Sequence, residues 1–170
     1  MSEQEIPPGW VEMRLRGLIL DPNSESPVVI LREERESIYL PIWIGVFEAN
    51  AIALALEEVK PRRPMTHDLL RSTVESLGGT LVRIEIHALH EGTFFARLIV
   101  QRHEQEPFEI DARPSDAIAL ALRMSAPIWT AREVLQHALA SAKAAELSDE
   151  QRLREWLENA NPEELGKYSM

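Results

Sequence analysis

The chain contains no cysteine, which excludes a disulfide framework, a thiolate-bound zinc or iron–sulfur site, and a cysteine nucleophile. Any metal would have to rest on carboxylates, histidines or water. No run approaches the ~18 consecutive apolar residues of a helical membrane span, and the opening MSEQEIPPGW lacks both the basic start and the apolar stretch of a secretion signal. The expectation is a soluble, cytoplasmic protein with no membrane partner. Positive charge is also scarce: 18 Lys and Arg against 28 Asp and Glu leave a net of −10, which opposes long-range attraction to a polyanion. The deficit is uneven. Residues 1–12 carry three acids and no base, residues 141–170 carry seven acids and four bases, and the middle holds 14 bases against 18 acids, so a local basic site remains compatible with the composition. Glycine is sparse, and no Gly-rich phosphate loop, G-x-S-x-G elbow or HExxH motif occurs.

What is present suffices for one packed domain with a small appendage: 170 residues, 45% of them apolar. The boundaries fall as a flexible lead-in over 1–12, a domain over 13–140 and a helical tail over 141–170. Apolar runs at 11–20, 27–33 and 37–44, separated by turn-forming segments such as DPNSESP, predict three strands. From Glu48 the spacing of Ile52, Leu56 and Val59 becomes helical, ending at Pro61. A second helix is expected from Thr66 as N-cap to Gly78-Gly79. Strands over 81–89 and 93–101 are joined by His90-Glu91-Gly92, a third covers 107–110, and a helix covers 115–124. Trp43, inside an apolar strand, is assigned to the core.

At an offset of 66, residues 41–61 match residues 107–127 at nine of 21 positions, including the hexapeptide AIALAL at 51–56 and 117–122 and the prolines at 61 and 127. Each copy follows three strands. The fold class expected is therefore α+β, a mostly antiparallel sheet built from two pseudo-repeated βββα units, with C-terminal helices. Thr130-Ala131-Arg132-Glu133 and Ser148-Asp149-Glu150-Gln151 each read as a capping box ahead of a helix. Asn161-Pro162 opens a shorter one. Trp156, Leu153 and Leu157 form an apolar face that needs a surface to dock on, in this chain or in a protein partner.

Three constellations carry candidate chemistry. Asp111-Ala112-Arg113-Pro114-Ser115-Asp116 stands where a strand passes into a helix, a junction whose free N–H groups and positive dipole end suit a phosphate. There Arg113 can clamp the phosphate while the carboxylates hold a hard cation or position a water. The same residues also suit capping by Asp116 or Ser115 and a local Asp111–Arg113 ion pair. The equivalent junction in the first half offers Glu48, which equally fits the ordinary preference for an acid in a helix's first turn. The third constellation is Arg62, Arg63, Thr66, His67 and Asp68. A proline-stiffened basic loop leads there into a helix N-terminus bearing a group that titrates near neutral pH. Capping by Thr66 and Asp68, with His67 facing solvent, is the competing account. His87 and His90 lack a third ligand at zinc spacing.

Taken together, PIWIGVFEANAIALAL (41–56), PRRPMTHDLL (61–70), GTFFARL (92–98) and IDARPSDAIALALR (110–123) resemble the bifunctional nuclease domain family over about residues 13–138. The doubled arginine at 62–63 is the one departure. The resemblance implies an α+β domain, often a homodimer, and nuclease activity on DNA and RNA as described for plant members. It suggests Glu48, His67, Asp68, Asp111, Arg113, Ser115 and Asp116 as lining a shared cleft. Residues 141–170 are similar to a short helical tail of some bacterial members.

Two functions from different classes follow. In the first, a nuclease, Glu48, Asp111 and Asp116 would hold Mg²⁺ or Mn²⁺, with no organic cofactor. Arg113 with Arg62 or Arg63, and Ser115, would bind the phosphate, while His67, beside Asp68, would move a proton. In the second, a non-catalytic module, the same cleft would hold a small anionic ligand and the C-terminal helices would dock a partner, a reading the acidic net charge favours.

Overall fold

A computed structural model describes residues 7–33, 35, 38–103 and 105–144. The expected tail helices beyond 144 and residues 1–6 of the expected lead-in over 1–12 lie outside the described residues, whereas Trp10, Val11 and Glu12 of that lead-in belong to the first strand. Seven strands form one sheet: β1 (Trp10–Leu20), β2 (Pro27–Arg32), β3 (Tyr39–Trp43), β4 (Gly79–His90), β5 (Thr93–Arg102), β6 (Phe108–Ala112) and β7 (Ile128–Ala131). Four helices accompany them: α1 (Val46–Leu56), α2 (Thr66–Ser76), α3 (Pro114–Met124) and α4 (Arg132–Ala144). The strand order is β3-β2-β1-β7-β4-β5-β6, and every neighbouring pair is antiparallel except β4 and β7. The α+β, mostly antiparallel architecture read from the sequence is the one observed.

Two antiparallel meanders, β1-β2-β3 and β4-β5-β6, each run on toward a helix, α1 and α3, made from the two AIALAL segments. The alanines let these helices approach closely. Ile52 and Ala53 of α1 and Ala117, Ile118, Ala119, Leu120 and Ala121 of α3 are buried, and the two helices pack on each other. Helix α3 is also flanked by α2 and lies over β4 and β5, which explains why nearly all of its middle turns are apolar. The sheet contributes Val29, Leu31, Leu40, Ile42, Ile84, Ile86, Leu98 and Val100 to the same core.

Strand β7 was not anticipated. Its four residues follow Pro127 and lead at once into α4, so they read as an approach to a helix, yet they insert between β1 and β4 and join the two meanders. Two helix ends also differ from expectation. Helix α1 stops at Leu56 because Glu58 adopts a left-handed conformation, φ 52°, before the proline is reached. Met65, not Thr66, is the N-cap of α2, and its N–H donates to the Asp68 carboxylate at 2.9 Å. The β4–β5 connection is a two-residue turn with positive φ at both Glu91 and Gly92, the arrangement that matches strand twist in tight hairpins.

β3 and β6 are the two edges of the strand order. In a flat sheet, six strand spacings would hold them about 29 Å apart. Yet Glu48, in the first turn after β3, meets Arg113, immediately after β6, at 3.0 Å. The sheet therefore curls around α1 and α3 and brings the ends of its outer strands together.

Candidate functional site

Three helices begin at that meeting point. Glu48 is the third residue of α1, His67 the second of α2 and Asp116 the third of α3, with Arg113 as the N-cap of α3. Neither Gly45 nor Arg113, the N-caps of α1 and α3, caps its helix with a side chain, and each helix start contributes partial positive charge. The side chains form a chain of contacts. Arg113 donates from Nε to Asp116 Oδ2 at 2.7 Å, from Nη2 to Asp116 Oδ1 at 3.2 Å and from Nη1 to Glu48 Oε1 at 3.0 Å. His67 Nε2 lies 3.0 Å from Asp116 Oδ1.

The electrostatics assign the proton. Burial pushes the Asp116 carboxyl up, but hydrogen bonds from Arg113 and His67 and their charge outweigh it, so its pKa lies below the usual 3.8. Asp116 is thus an anion at neutral pH and can only accept, which makes His67 Nε2 the donor; in the neutral form of the ring the lone pair is then on Nδ1. The Arg113 guanidinium is held more firmly protonated than usual, first by its hydrogen bond to Asp116 and then by that carboxylate's charge and by Glu48. Three of its five N–H groups serve the two carboxylates. Two remain on a side chain that is 64% exposed.

Beside this chain of contacts opens a cleft of about 460 Å³, whose lining includes Glu48, Arg113 and Ser115 together with Trp43, Ile44 and Phe94. Ser115 is buried in its wall. Gly45 leaves room for the Glu48 carboxylate that folds back over it, so a β-carbon there would force that side chain to shift.

The other residues singled out from the sequence lie elsewhere. Asp111 is exposed and opposes Arg97 across β5–β6, on the sheet face where Arg97 reaches Glu85 and Glu109. Its neighbour Ala112 packs on the core. Asp68 is paired elsewhere: Arg123 donates to it at 2.7 Å, which lowers its pKa first of all; burial opposes this, and the Met65 N–H adds to the lowering. Arg62 and Arg63 stand exposed in the loop before α2.

The donor set expected for Mg²⁺ or Mn²⁺ is not assembled. Among the described residues no three His, Asp or Glu side chains converge as ligands, and the cation between Glu48 and Asp116 is the Arg113 guanidinium itself. Two residues were missed from the sequence. Trp43, assigned to the core, is 53% exposed and belongs to the cleft lining, because its neighbours Leu40 and Ile42 take the buried side of β3 and alternation turns position 43 outward. Arg123, 8% exposed at its side chain, ties α3 to Asp68 of α2 and to the Ala51 carbonyl of α1.

Residues 29–143 match the bifunctional nuclease domain, and the chain belongs to that family. An uncharacterized protein of Mycobacterium tuberculosis (strain ATCC 25618 / H37Rv) is 40% identical over 163 residues, covering 91% of this chain and 97% of its own length. Bifunctional nuclease 1 of Oryza sativa subsp. indica is 25% identical over 124 residues, 72% of this chain and 36% of its own. Bifunctional nuclease 1 of Arabidopsis thaliana is 26% identical over 105 residues, 60% of this chain and 32% of its own. This chain thus spans about a third of the length of the plant proteins. No helix among the described residues is long and apolar enough to cross a membrane.

Proposed function

We propose that this chain is a nuclease that hydrolyses phosphodiester bonds of DNA or RNA at the junction of α1, α2 and α3. The observation that carries the reading is the chain of contacts His67–Asp116–Arg113–Glu48 set at three helix N-termini. Hydrolysis of a phosphodiester needs a group to move a proton and positive charge to meet the charge that builds on the phosphoryl oxygens. His67, oriented by the Asp116 anion, supplies the first through Nδ1. The second comes from the two unspent N–H groups of Arg113 and the uncapped starts of α1 and α3. Membership of the family and the similarity to the plant bifunctional nucleases support the same chemistry. A divalent cation enters this reading only by displacing the guanidinium from between Glu48 and Asp116.

The test incubates purified protein with single-stranded RNA and DNA, with Mg²⁺, with Mn²⁺ and with chelator, beside His67→Ala and Arg113→Ala. Cleavage by the parent and its loss in both variants is expected. Cleavage unchanged in both would mark a contaminant, and absence of cleavage by the parent would overturn the reading. Thermal stabilisation by oligonucleotide without turnover would then assign the cleft to a binding module.

A further inference from the structure

The aromatic residues of the cleft lining take no part in the acid–base and phosphate chemistry. Trp43 is half exposed, and its indole N–H donates to Asp21 Oδ2 at 3.0 Å. That carboxylate is itself fixed, accepting from the Asn23 N–H at 3.0 Å and the Ser24 hydroxyl at 2.8 Å. An exposed tryptophan usually turns freely about two side-chain torsions, but this one, a residue of the cleft lining, is pinned at its edge by an anchored anion. Phe94, the second residue of β5, lines the same cleft, and Phe47 projects from the first turn of α1 at 88% exposure. Aromatic residues and Arg113 with Ser115 in one lining are the two halves of a nucleotide's chemistry, a base to stack and a phosphate to neutralise. The volume of about 460 Å³ falls in the range of small-ligand sites.

We infer that Trp43, positioned by Asp21, is a stacking platform for an unpaired nucleobase whose phosphodiester lies against Arg113, so that the cleft takes single strands and rejects duplex. This rests on the nuclease reading of the same cleft. In a duplex both faces of a base are covered by its neighbours, so the platform has nothing to stack on unless the base leaves the helix. Selection for single strands follows from the ring's fixed position and needs no base-specific hydrogen bond. It also fits the acidic chain: stacking supplies affinity where long-range attraction to the backbone is weak.

The experiment measures binding of fluorescein-labelled oligothymidylate to the full chain by anisotropy, alone and annealed to oligoadenylate, with cleavage followed in parallel. Trp43→Ala is expected to weaken single-strand binding about 5- to 150-fold, the equivalent of the ~1–3 kcal/mol that a base–aromatic stack contributes. Trp43→Phe should retain part of the affinity. Asp21→Ala should weaken binding and Asp21→Asn, which keeps an acceptor for the indole N–H, should restore it. The parent should prefer the single strand to the duplex. Trp43→Ala binding as tightly as the parent, or a parent that binds duplex equally well, overturns the inference. Selective binding that depends on Trp43 in a protein that cleaves nothing would sink the nuclease reading and leave the base site standing. Cleavage of single strand and duplex alike, unaffected by Trp43→Ala, would do the reverse. Loss of a dimer in Trp43→Ala with oligonucleotide binding unchanged would assign the aromatic rim to self-association and overturn the base site. Should Trp43→Ala fail to fold, Trp43→Phe and the contrast between single strand and duplex still decide.

Discussion

The imidazole of His67 and the carboxylate of Asp116 meet at 3.0 Å although 49 positions separate them, each from the first turn of its own helix. The pairing fixes the ring and its tautomer, so the two residues should fail together. His67→Ala is expected to lower cleavage about 10²- to 10⁴-fold, the ordinary range for a general acid–base group. Asp116→Asn keeps the side chain's shape but allows the amide N–H₂ to face the ring, and it should also lower the rate. The double variant should be scarcely slower than His67→Ala alone. Single-turnover cleavage of a labelled strand measures all three, and additive losses would mean that the pair does not act as a unit.

Glu48 can be moved without being touched. The N-cap Gly45 has φ −77° and ψ 162°, which any residue adopts, but its missing side chain makes room for the Glu48 carboxylate. Gly45→Ala should therefore leave the fold intact, within about 1 kcal/mol by urea denaturation, while breaking the contact from Glu48 to Arg113. If Glu48 holds the guanidinium in its working position, Gly45→Ala and Glu48→Gln will lose the same fraction of activity. A fully active Gly45→Ala would show that Glu48 is dispensable.

The fold was largely legible because its signals are local. Period-two alternation marked six strands, and 3.6-residue spacing with Gly and Pro punctuation marked the helices. β7 escaped because only Ile128 and Trp129 stand between Pro127 and the segment read as a capping box, whose Thr130 and Ala131 are in fact its last two residues, and so short a run carries no alternation to read. The site was legible as residue types but not as a geometry. Glu48, His67, Arg113 and Asp116 come together only through the curl of the sheet, which sequence spacing does not encode. Asp111 stands apart from these four. Its closeness to Arg113 along the chain suggested a shared cleft, whereas alternation along β6 places it on Arg97's face, and that signal was available. The same alternation along β3 would have turned Trp43 outward. Arg123 had no such marker, since a basic residue in a helix's last turn is commonplace.

Asp68 and Arg123 should govern stability and leave chemistry alone. The Arg123 guanidinium serves Asp68 at 2.7 Å and the carbonyls of Ala51 and Ala119 at 3.0 and 2.8 Å, tying three helices through one buried group. Arg123→Met keeps the aliphatic stem and leaves those acceptors without it, at a cost of about 1–3 kcal/mol. Urea denaturation should show a lower midpoint with an unchanged slope. Asp68→Ala should destabilise in the same direction while the folded fraction cleaves at the parent rate. A large fall in kcat for folded Asp68→Ala would return that carboxylate to the catalytic group.

Two carboxylates make the protein sensitive to acid in a defined direction. Asp68, chiefly through its hydrogen bond from Arg123, and Asp116, where Arg113 and His67 overcome the opposing effect of burial, both have folded-state pKa values below the ordinary 3.8. A group whose folded pKa is depressed binds its proton more readily once the chain unfolds. Its stabilisation is then complete above the ordinary value and is lost as pH falls from 3.8 through the folded value. Stability measured by urea denaturation should accordingly be flat with respect to these two groups near neutrality and should fall below about pH 4. Asp68→Asn and Asp116→Asn should each be less stable than the parent at pH 7, and each should show a shallower decline in acid. At the lowest pH the variants and the parent should converge, because protonation has already removed from the parent what the substitution removes at every pH. An undiminished acid slope in the double variant would mean that other carboxylates carry the transition.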